Sequence, residues 1–238
     1  MNTAIILSGG TGTRMGIACP KQYLKVQGRP VLCYCLEIFQ NHPAIDHIVI
    51  VAADEWTETI EKWVKQENIT KFFSFAPAGR TRQHSIYNGL KAAKGCTPAE
   101  GAVIMHDAAR PLVSEQIISD CLTGAREDGG AMPVITVKDT VYFSQDGQQI
   151  DQLLDRSCLY AGQAPEAFRF GDYLAIHDAA DDEEIASTAG TSQIAYRHGM
   201  KVRLVKGSER NLKITTMEDL NTFEVLLSEN RTERKGGN

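Results

Sequence analysis

A glycine-rich segment near the start of the chain carries residue types that could bind a polyphosphate. A short apolar run ends at Leu7, the segment Ser8-Gly9-Gly10-Thr11-Gly12-Thr13-Arg14-Met15-Gly16 follows it, and Lys21 comes shortly after. Glycines allow backbone N–H groups to turn towards anionic oxygens that a Cβ atom would keep at a distance. Arg14 and Lys21 would add positive charge. The pattern predicts a phosphate-binding loop, and the alternative is an ordinary tight turn after a strand.

Two common glycine-rich phosphate motifs do not fit this segment. A P-loop ends in Gly-Lys followed by Ser or Thr, and no such ending follows Gly9 and Gly10. A dinucleotide-binding fingerprint has the pattern G-x-G-x-x-G at the start of a helix. The segment 10–16 has one residue too many for that pattern, and Pro20 would interrupt a helix. The loop therefore belongs to neither class.

Two further polar segments follow predicted strands, where ligands of open α/β sheets bind. Residues 78–85 contain two arginines, a threonine and a serine at a predicted helix N-terminus. Asp107 follows another strand and could hold a divalent metal or the hydroxyls of a ligand. Alternatively, Asp107 caps a turn and pairs with Arg110. His106 is interpreted as structural, and His84 is given no catalytic role.

Composition limits the class of protein. The chain has 238 residues, 42% of them hydrophobic, and a formal net charge of −5. These values predict one domain over residues 1–230 without a basic face for nucleic acid. No apolar run approaches the roughly 18 residues of a membrane span, so we expect a soluble, cytoplasmic protein that binds no membrane. The six cysteines lack the spacing of a zinc site and are interpreted as reduced thiols.

Apolar runs alternate with amphipathic segments along the first half of the chain. The runs at residues 4–7, 48–51, 72–75 and 102–105 predict buried strands. Residues 31–39, 56–64 and 86–93 predict helices between them, and Asp54 is the expected N-cap of the second helix. The alternation predicts an α/β fold with a mostly parallel sheet that helices cover on both faces.

The next segment breaks this alternation. Residues 136–156 alternate loosely around a turn at residues 145–147 and predict a β-hairpin. A hairpin has too little core to be stable alone, so we expect it to project as an arm and pack against a second subunit. Arg156 at its end would then stand near an active site. Alternatively, it forms a surface ion pair with Asp155.

Three patterns lie towards the C-terminus. The acidic run at residues 178–184 is interpreted as a solvated helix end rather than a metal site. Lys213 lies between apolar neighbours in a segment that reads as extended, which suggests an inward-facing cation. Leucines and a phenylalanine at residues 220–227 predict a closing helix, and residues 231–238 are expected to form a polar tail.

Taken in chain order, these segments resemble the family of methylerythritol-phosphate and ribitol-phosphate cytidylyltransferases. The similarity covers nearly the whole chain. Its landmarks, which are specific as a set, are residues 9–16, 20–23, 79–85, 106–111, 139–140, 155–156, 163–165 and 213–215. The resemblance implies a single Rossmann-like nucleotidyltransferase domain that joins CTP to a sugar-alcohol phosphate and releases pyrophosphate.

The same resemblance implies roles for individual residues. Arg14 and Lys21 would stabilise charge on the α-phosphate, and together with Arg156 and Lys213 they form the predicted catalytic set. Thr140, Arg156 and Lys213 would position the acceptor, with Arg156 arriving on the arm of the partner in a homodimer. Asp107 would bind Mg²⁺. The residues implied to bind CTP are Leu7, Ser8, Gly9, Gly10, Thr11, Gly12, Gly79, Arg80, Thr81, Arg82, Ser85, Asp107 and Ala108.

Two segments depart from the family pattern. Ala164-Pro165-Glu166 stands where Thr-Pro-Gln is usual, and residues 185–191 lack an acid that is usual there. Both changes are expected on the acceptor side. The acceptor therefore stays open between two sugar-alcohol phosphates. Residues 106–111 and 154–156 favour 2-C-methyl-D-erythritol 4-phosphate, which is marginally ahead, whereas Trp56 and residues 159–163 and 211–216 favour ribitol 5-phosphate.

Two other classes of protein fit the sequence less well. A nucleotide-binding module without catalysis would not need the complete set of predicted catalytic residues. A metal-dependent glycosyltransferase would need an Asp-x-Asp motif at a strand end, which residues 106–108 do not supply. The sequence therefore favours cytidylyl transfer over both.

Overall fold

The computed structural model describes residues 1–10 and 19–236, with side chains up to residue 229. Short 3₁₀ helices span Lys21–Tyr23 and Arg156–Cys158. The strands and α-helices are, in chain order, β1 (Asn2–Leu7), β2 (Lys25–Val26), β3 (Arg29–Pro30), α1 (Val31–Asn41), β4 (His47–Ala52), α2 (Asp54–Gln66), β5 (Phe72–Pro77), α3 (Arg82–Ala93), β6 (Ala102–Asp107), α4 (Glu115–Asp128), β7 (Gly130–Thr136), β8 (Val141–Phe143), β9 (Gln152–Leu154), β10 (Tyr160–Gly162), β11 (Glu166–Arg169), α5 (Phe170–Ala179), α6 (Asp182–Ser187), α7 (Thr191–Arg197), β12 (Val202–Lys206) and α8 (Met217–Gly236).

Eight of the described strands form one sheet. Its order is β10-β7-β11-β6-β1-β4-β5, with β12 beside β7. β1 lies parallel to both β4 and β6, and β5 lies parallel to β4. β11 runs antiparallel between β6 and β7, a strand that the sequence pattern did not predict. The predicted α/β fold with a mostly parallel sheet is confirmed.

Helices cover both faces of this sheet. Alternate side chains of the central strands point to opposite faces, because successive residues of a strand do so. Ile6 and Ile50 pack against α1, α2 and α4, whereas Ile5 and Val51 pack against α3, α5 and α7; all four are fully buried. Burial on both faces explains why these strands are continuous apolar runs in the sequence.

Three element boundaries differ from the expected ones. Ala53 is the N-cap of α2, so the prediction that Asp54 caps this helix was wrong; Asp54 lies in the first turn, where its charge favours the helix dipole. The segment 211–216 forms no strand. α8 continues to Gly236, through residues expected to form a tail, because the arginine, glutamate and lysine residues there are good helix formers.

The arm is a separate two-stranded antiparallel sheet. β8 and β9 pair with Val141 opposite Leu154, which confirms the predicted hairpin. Large apolar side chains on it are exposed, including Ile150 at 65% and Leu153 at 62%. Exposed apolar patches of this kind mark interaction surfaces. Among the described residues, no helix is both long and apolar enough to cross a membrane.

A close approach between α3 and the sheet generates the first prediction. A Cβ atom at Gly89 would lie 2.5 Å from Cγ2 of Ile5 and 3.1 Å from Cγ2 of Val51. Gly89→Val should therefore lower the free energy of unfolding by about 1–3 kcal/mol in urea denaturation, because the core is already filled. Lys91→Val on the exposed side of the same helix is the control and should cost under about 1 kcal/mol. Equal losses in both variants would contradict the packing argument.

Candidate active site

The carboxyl ends of β1, β5 and β6 border a cavity of about 450 Å³. Its walls come from the three segments that the sequence singled out and from the segment before α8. The lining residues are Leu7, Gly9, Gly10, Lys21, Gln22, Gly79, Arg80, Thr81, Arg82, Ser85, Asp107, Ala109, Lys213 and Thr215. Residues more than a hundred positions apart in the chain thus meet at one edge of the sheet.

Most of the residues implied to bind CTP line this cavity, but not all of them. Ser8 and Ala108 are each 1% exposed and are not among the lining residues. Thr11, Gly12 and Arg14 lie outside the described residues. The structure brings the other nine to one cavity, and the roles implied for all of these residues stay predictions.

The predicted acceptor residues of the arm do not reach this cavity within one chain. Thr140 and Arg156 are exposed and are absent from the cavity lining. The Arg156 guanidinium donates a hydrogen bond to the backbone carbonyl of Lys138. The alternative in which Arg156 pairs with Asp155 is not what the structure contains, since the Asp155 carboxylate accepts hydrogen bonds from Ser157 instead.

Gln22 and Tyr23 hold the beginning of the glycine-rich segment. The Gln22 amide donates to the carbonyls of Ser8 and Gly10 at 2.6 and 2.8 Å. The Tyr23 hydroxyl donates to the Ser8 carbonyl at 2.8 Å and accepts from the Ser8 hydroxyl at 3.0 Å. Both side chains are buried, and the Tyr23 ring packs on Trp56. These bonds tie the end of β1 to the 3₁₀ turn that carries Lys21.

The direction of these bonds also orients the backbone. The C=O and N–H of one planar peptide group point in opposite directions. With the Ser8 carbonyl held by Gln22 and Tyr23, the N–H of Gly9 points the other way. A Cβ atom at Gly9 would lie 2.4 Å from Cβ of Ala78, so the close approach of this segment to β5 requires glycine. The sequence marked Gln22 and Tyr23 as landmarks without indicating this positioning role.

The N-terminus of α3 forms the opposite wall. Thr81 caps this twelve-residue helix by accepting from the N–H of His84, and the Ser85 hydroxyl accepts from the N–H of Gly79 at 2.9 Å. The positive end of the helix dipole favours an anionic ligand. At the rim, Asp182 pairs with Arg80 and accepts from His84 at 3.0 Å. One member of the acidic run therefore has basic partners at the site.

Asp107 lies at the centre of the cavity wall and is surrounded by three cations. Its Oδ2 is 2.8 Å from Nζ of Lys213 and 3.7 Å from Nε of Arg110, and its Oδ1 accepts from Arg82 at 3.1 Å. Burial alone would raise the pKa of Asp107, but the charges of Arg82, Lys213 and Arg110 outweigh it and hold the pKa well below its usual range. The carboxylate is therefore ionised at neutral pH.

The segment that carries Lys213 is fixed to the end of β6. The N–H of Ile214 donates to the carbonyl of Ala109 at 2.9 Å, and the Arg110 guanidinium donates to the carbonyl of Asn211 at 2.6 Å. The Asn211 amide in turn donates to the carbonyl of Ala164 at 2.7 Å. Lys213 thus faces inward, as its apolar neighbours suggested, although no strand forms there.

His106 precedes Asp107 but faces the core. It is fully buried, packs against Phe39, and its Nε2 donates to the carbonyl of Arg110 at 2.9 Å. Burial lowers the pKa of His106 to about 4, so the ring is neutral at pH 7. These contacts agree with a structural role.

The two segments that depart from the family pattern meet behind Arg82. The Glu166 carboxylate accepts hydrogen bonds from the backbone N–H, at 2.8 Å, and the hydroxyl of Ser192. Its other oxygen lies 4.0 Å from Arg82, whose guanidinium also donates to the Thr191 hydroxyl at 2.5 Å. The sequence did not predict that these distant positions share one charged partner.

Comparison with known proteins agrees with this geometry. Residues 2–229 match the family model of IspD, 2-C-methyl-D-erythritol 4-phosphate cytidylyltransferase. The chain is 38% identical to the 2-C-methyl-D-erythritol 4-phosphate cytidylyltransferase of Geobacter metallireducens, over 95% of this chain and 97% of that one. It is 32% identical to the ribitol-5-phosphate cytidylyltransferase of Streptococcus agalactiae, over 98% of both chains.

A solved structure gives the same result for the fold. The crystal structure of 4-diphosphocytidyl-2C-methyl-D-erythritol synthase from Anaerococcus prevotii superposes with a TM-score of 0.81 at 25% identity and covers 96% of each chain. The cavity at the carboxyl ends of β1, β5 and β6 therefore lies in a nucleotidyltransferase fold. The chain belongs to the IspD family of cytidylyltransferases.

Proposed function

We propose that this protein transfers the cytidylyl group of CTP to the phosphate of a sugar alcohol and releases pyrophosphate. The favoured acceptor is 2-C-methyl-D-erythritol 4-phosphate. The observation that carries the proposal is the set of cations, Lys21, Arg82 and Lys213, that line one cavity around the carboxylate of Asp107. Such a cavity suits two phosphorylated substrates that also carry hydroxyl groups.

The proposed reaction requires the protein to stabilise negative charge in the transition state, but it does not require a protein base. An oxygen of the acceptor phosphate bonds to the α-phosphorus of CTP, and the bond from that phosphorus to the bridging oxygen breaks, so the electron pair leaves with pyrophosphate. The attacking phosphate is already anionic, because its second pKa is near 6. The main obstacle is repulsion between anions, which Lys21 and Arg14 would reduce in the transition state.

We also propose that a divalent ion such as Mg²⁺ accompanies CTP, with Asp107 as its protein ligand. Among the described residues, no group of three or more His, Cys, Asp or Glu side chains could hold a metal by itself. A single carboxylate fits Mg²⁺, which is commonly held by one or two carboxylates together with substrate phosphates. When bound, the ion would neutralise negative charge on the triphosphate. Lys213, which forms an ion pair with Asp107 in the structure, would then pair with the acceptor phosphate instead.

Ribitol 5-phosphate is the second candidate acceptor. Its support is the relative named ribitol-5-phosphate cytidylyltransferase, which matches along 98% of both chains. Pyrophosphate release from CTP and Mg²⁺ should be measured with both acceptors side by side. A value of kcat/KM that is higher for 2-C-methyl-D-erythritol 4-phosphate supports the first proposal. Turnover only with a hexose phosphate, or only with another nucleotide, contradicts both.

The proposed active form is a homodimer in which the arm of each subunit brings Thr140 and Arg156 to the site of the other. Two features support it. The apolar side chains of Tyr142, Ile150 and Leu153 are exposed on the arm, and the cavity of one chain lacks Arg156. A second copy of the chain would cover the apolar surface and complete the acceptor half of the site.

Replacement of Lys21 tests its proposed catalytic role. Lys21→Ala should lower kcat by about 100- to 1,000-fold, the loss typical of one transition-state donor. Lys25→Ala is the matched control, because Lys25 is exposed on the neighbouring strand β2, and it should keep kcat within about twofold. A folded Lys21→Ala protein with near-normal turnover would remove Lys21 from the mechanism.

The arm generates a separate prediction about assembly. Paired Ile150→Asp and Leu153→Asp substitutions should shift the protein from dimer to monomer in sedimentation equilibrium, because two buried charges would oppose the interface. Turnover should fall with the dimer fraction. Val225→Asp, at an exposed apolar position of α8, is the control and should leave the dimer intact. An active monomer would show that Arg156 is not supplied by a partner.

A further inference from the structure

Glu166 is a buried carboxylate with fixed partners on both oxygens. Its residue is 8% exposed and does not line the cavity. Oε2 accepts two hydrogen bonds from Ser192, and Oε1 lies 4.0 Å from Nη2 of Arg82. The two bonds from Ser192 hold the carboxylate beside Arg82.

The sheet register explains why Glu166 and Asp107 both lie near the guanidinium of Arg82. Glu166 lies opposite Met105 in the antiparallel pair of β11 and β6. Met105 and Asp107 are two residues apart on β6, so their side chains and that of Glu166 point to one face of the sheet. That face is covered by α3, whose first residue is Arg82. Arg82 therefore lies between two carboxylates.

This arrangement changes how strongly Arg82 can attract a phosphate. Burial alone would lower the pKa of Arg82, but the charges of Asp107 and Glu166 outweigh it and raise the pKa. Asp107 shares its charge among Arg82, Arg110 and Lys213, whereas Glu166 forms its ion pair with Arg82 and has a further charge interaction with Arg110. Part of the positive charge that Arg82 presents to the cavity is thus compensated from behind.

We propose that Glu166 is a positioning residue that fixes Arg82 between two carboxylates and thereby weakens the affinity of the site for pyrophosphate. The proposal rests on the proposed function, in which pyrophosphate is a product. A product with several negative charges would be held tightly by the cations of this cavity. A buried counter-charge behind one of them lowers that affinity without placing a carboxylate in contact with the ligand.

The substitution Glu166→Gln removes the negative charge of this side chain but keeps its size and packing. Glutamine has nearly the same shape, and its Oε1 can still accept from Ser192, so the fold should be retained. The variant should bind inorganic pyrophosphate about fivefold more tightly in isothermal titration calorimetry, the order of effect that one unit charge has at this range in a partly screened site. A purely structural role for Glu166 predicts unchanged or weaker binding, and either result overturns the proposal.

Two further variants show whether the effect passes through Arg82. Ser192→Ala retains the charge at residue 166 and should leave pyrophosphate affinity within about twofold. In an Arg82→Gln background, Glu166→Gln should change the pyrophosphate affinity by less than about twofold, because the guanidinium through which Glu166 is proposed to act is absent. An undiminished effect in that background would contradict the positioning role.

The experiment also separates this proposal from the proposed function, since the titration needs no acceptor. Pyrophosphate binding and acceptor turnover in the wild type, with no change in Glu166→Gln, would contradict the role of Glu166 alone. Absence of pyrophosphate binding in every variant would contradict both. Circular dichroism and thermal unfolding of each variant confirm that folded proteins are compared.

Discussion

The site depends on the burial of one carboxylate among three cations. A buried carboxylate is costly unless charged partners and hydrogen bonds compensate for the lost water. Asp107 finds these partners on three parts of the fold: Arg82 at the start of α3, Arg110 in the turn after β6, and Lys213 before α8. Each cation would repel the others without the carboxylate. Asp107 therefore fixes the relative positions of Arg82 and Lys213, which line the cavity.

Much of this arrangement follows from local sequence patterns. The apolar runs located the strands, and polar residues directly after them located the cavity, because parallel strands bring their carboxyl ends to one edge. Lys213 was suggested by its apolar neighbours. The contacts of Gln22, Tyr23 and Glu166 could not be predicted in this way, since each partner lies on another element and the pairing depends on how the elements pack. The start of α2 was predicted one residue too late, at an N-cap of Asp54 instead of Ala53, because sequence patterns locate helix ends only to within one or two residues.

Positive charge is distributed unevenly between the nucleotide side and the acceptor side of the cavity. Lys21, Gly9, Gly10 and the N-terminus of α3 line the side of the cavity on which a nucleoside triphosphate is proposed to bind. On the other side, one chain contributes Lys213 but neither Thr140 nor Arg156. In the proposed dimer, the nucleotide half of the site is built within one subunit, whereas the acceptor half needs residues of both.

The attachment of residues 211–214 to the end of β6 has a consequence for biosynthesis. Asp107 is made early in translation, but Lys213 and the backbone bond from Ile214 to Ala109 exist only after another hundred residues have been added. A nascent chain can pair β1, β4, β5 and β6 before that point, with Asp107 lacking one of its cations. The charge balance around Asp107 is therefore completed only after residue 213 has left the ribosome, when its third cation becomes available.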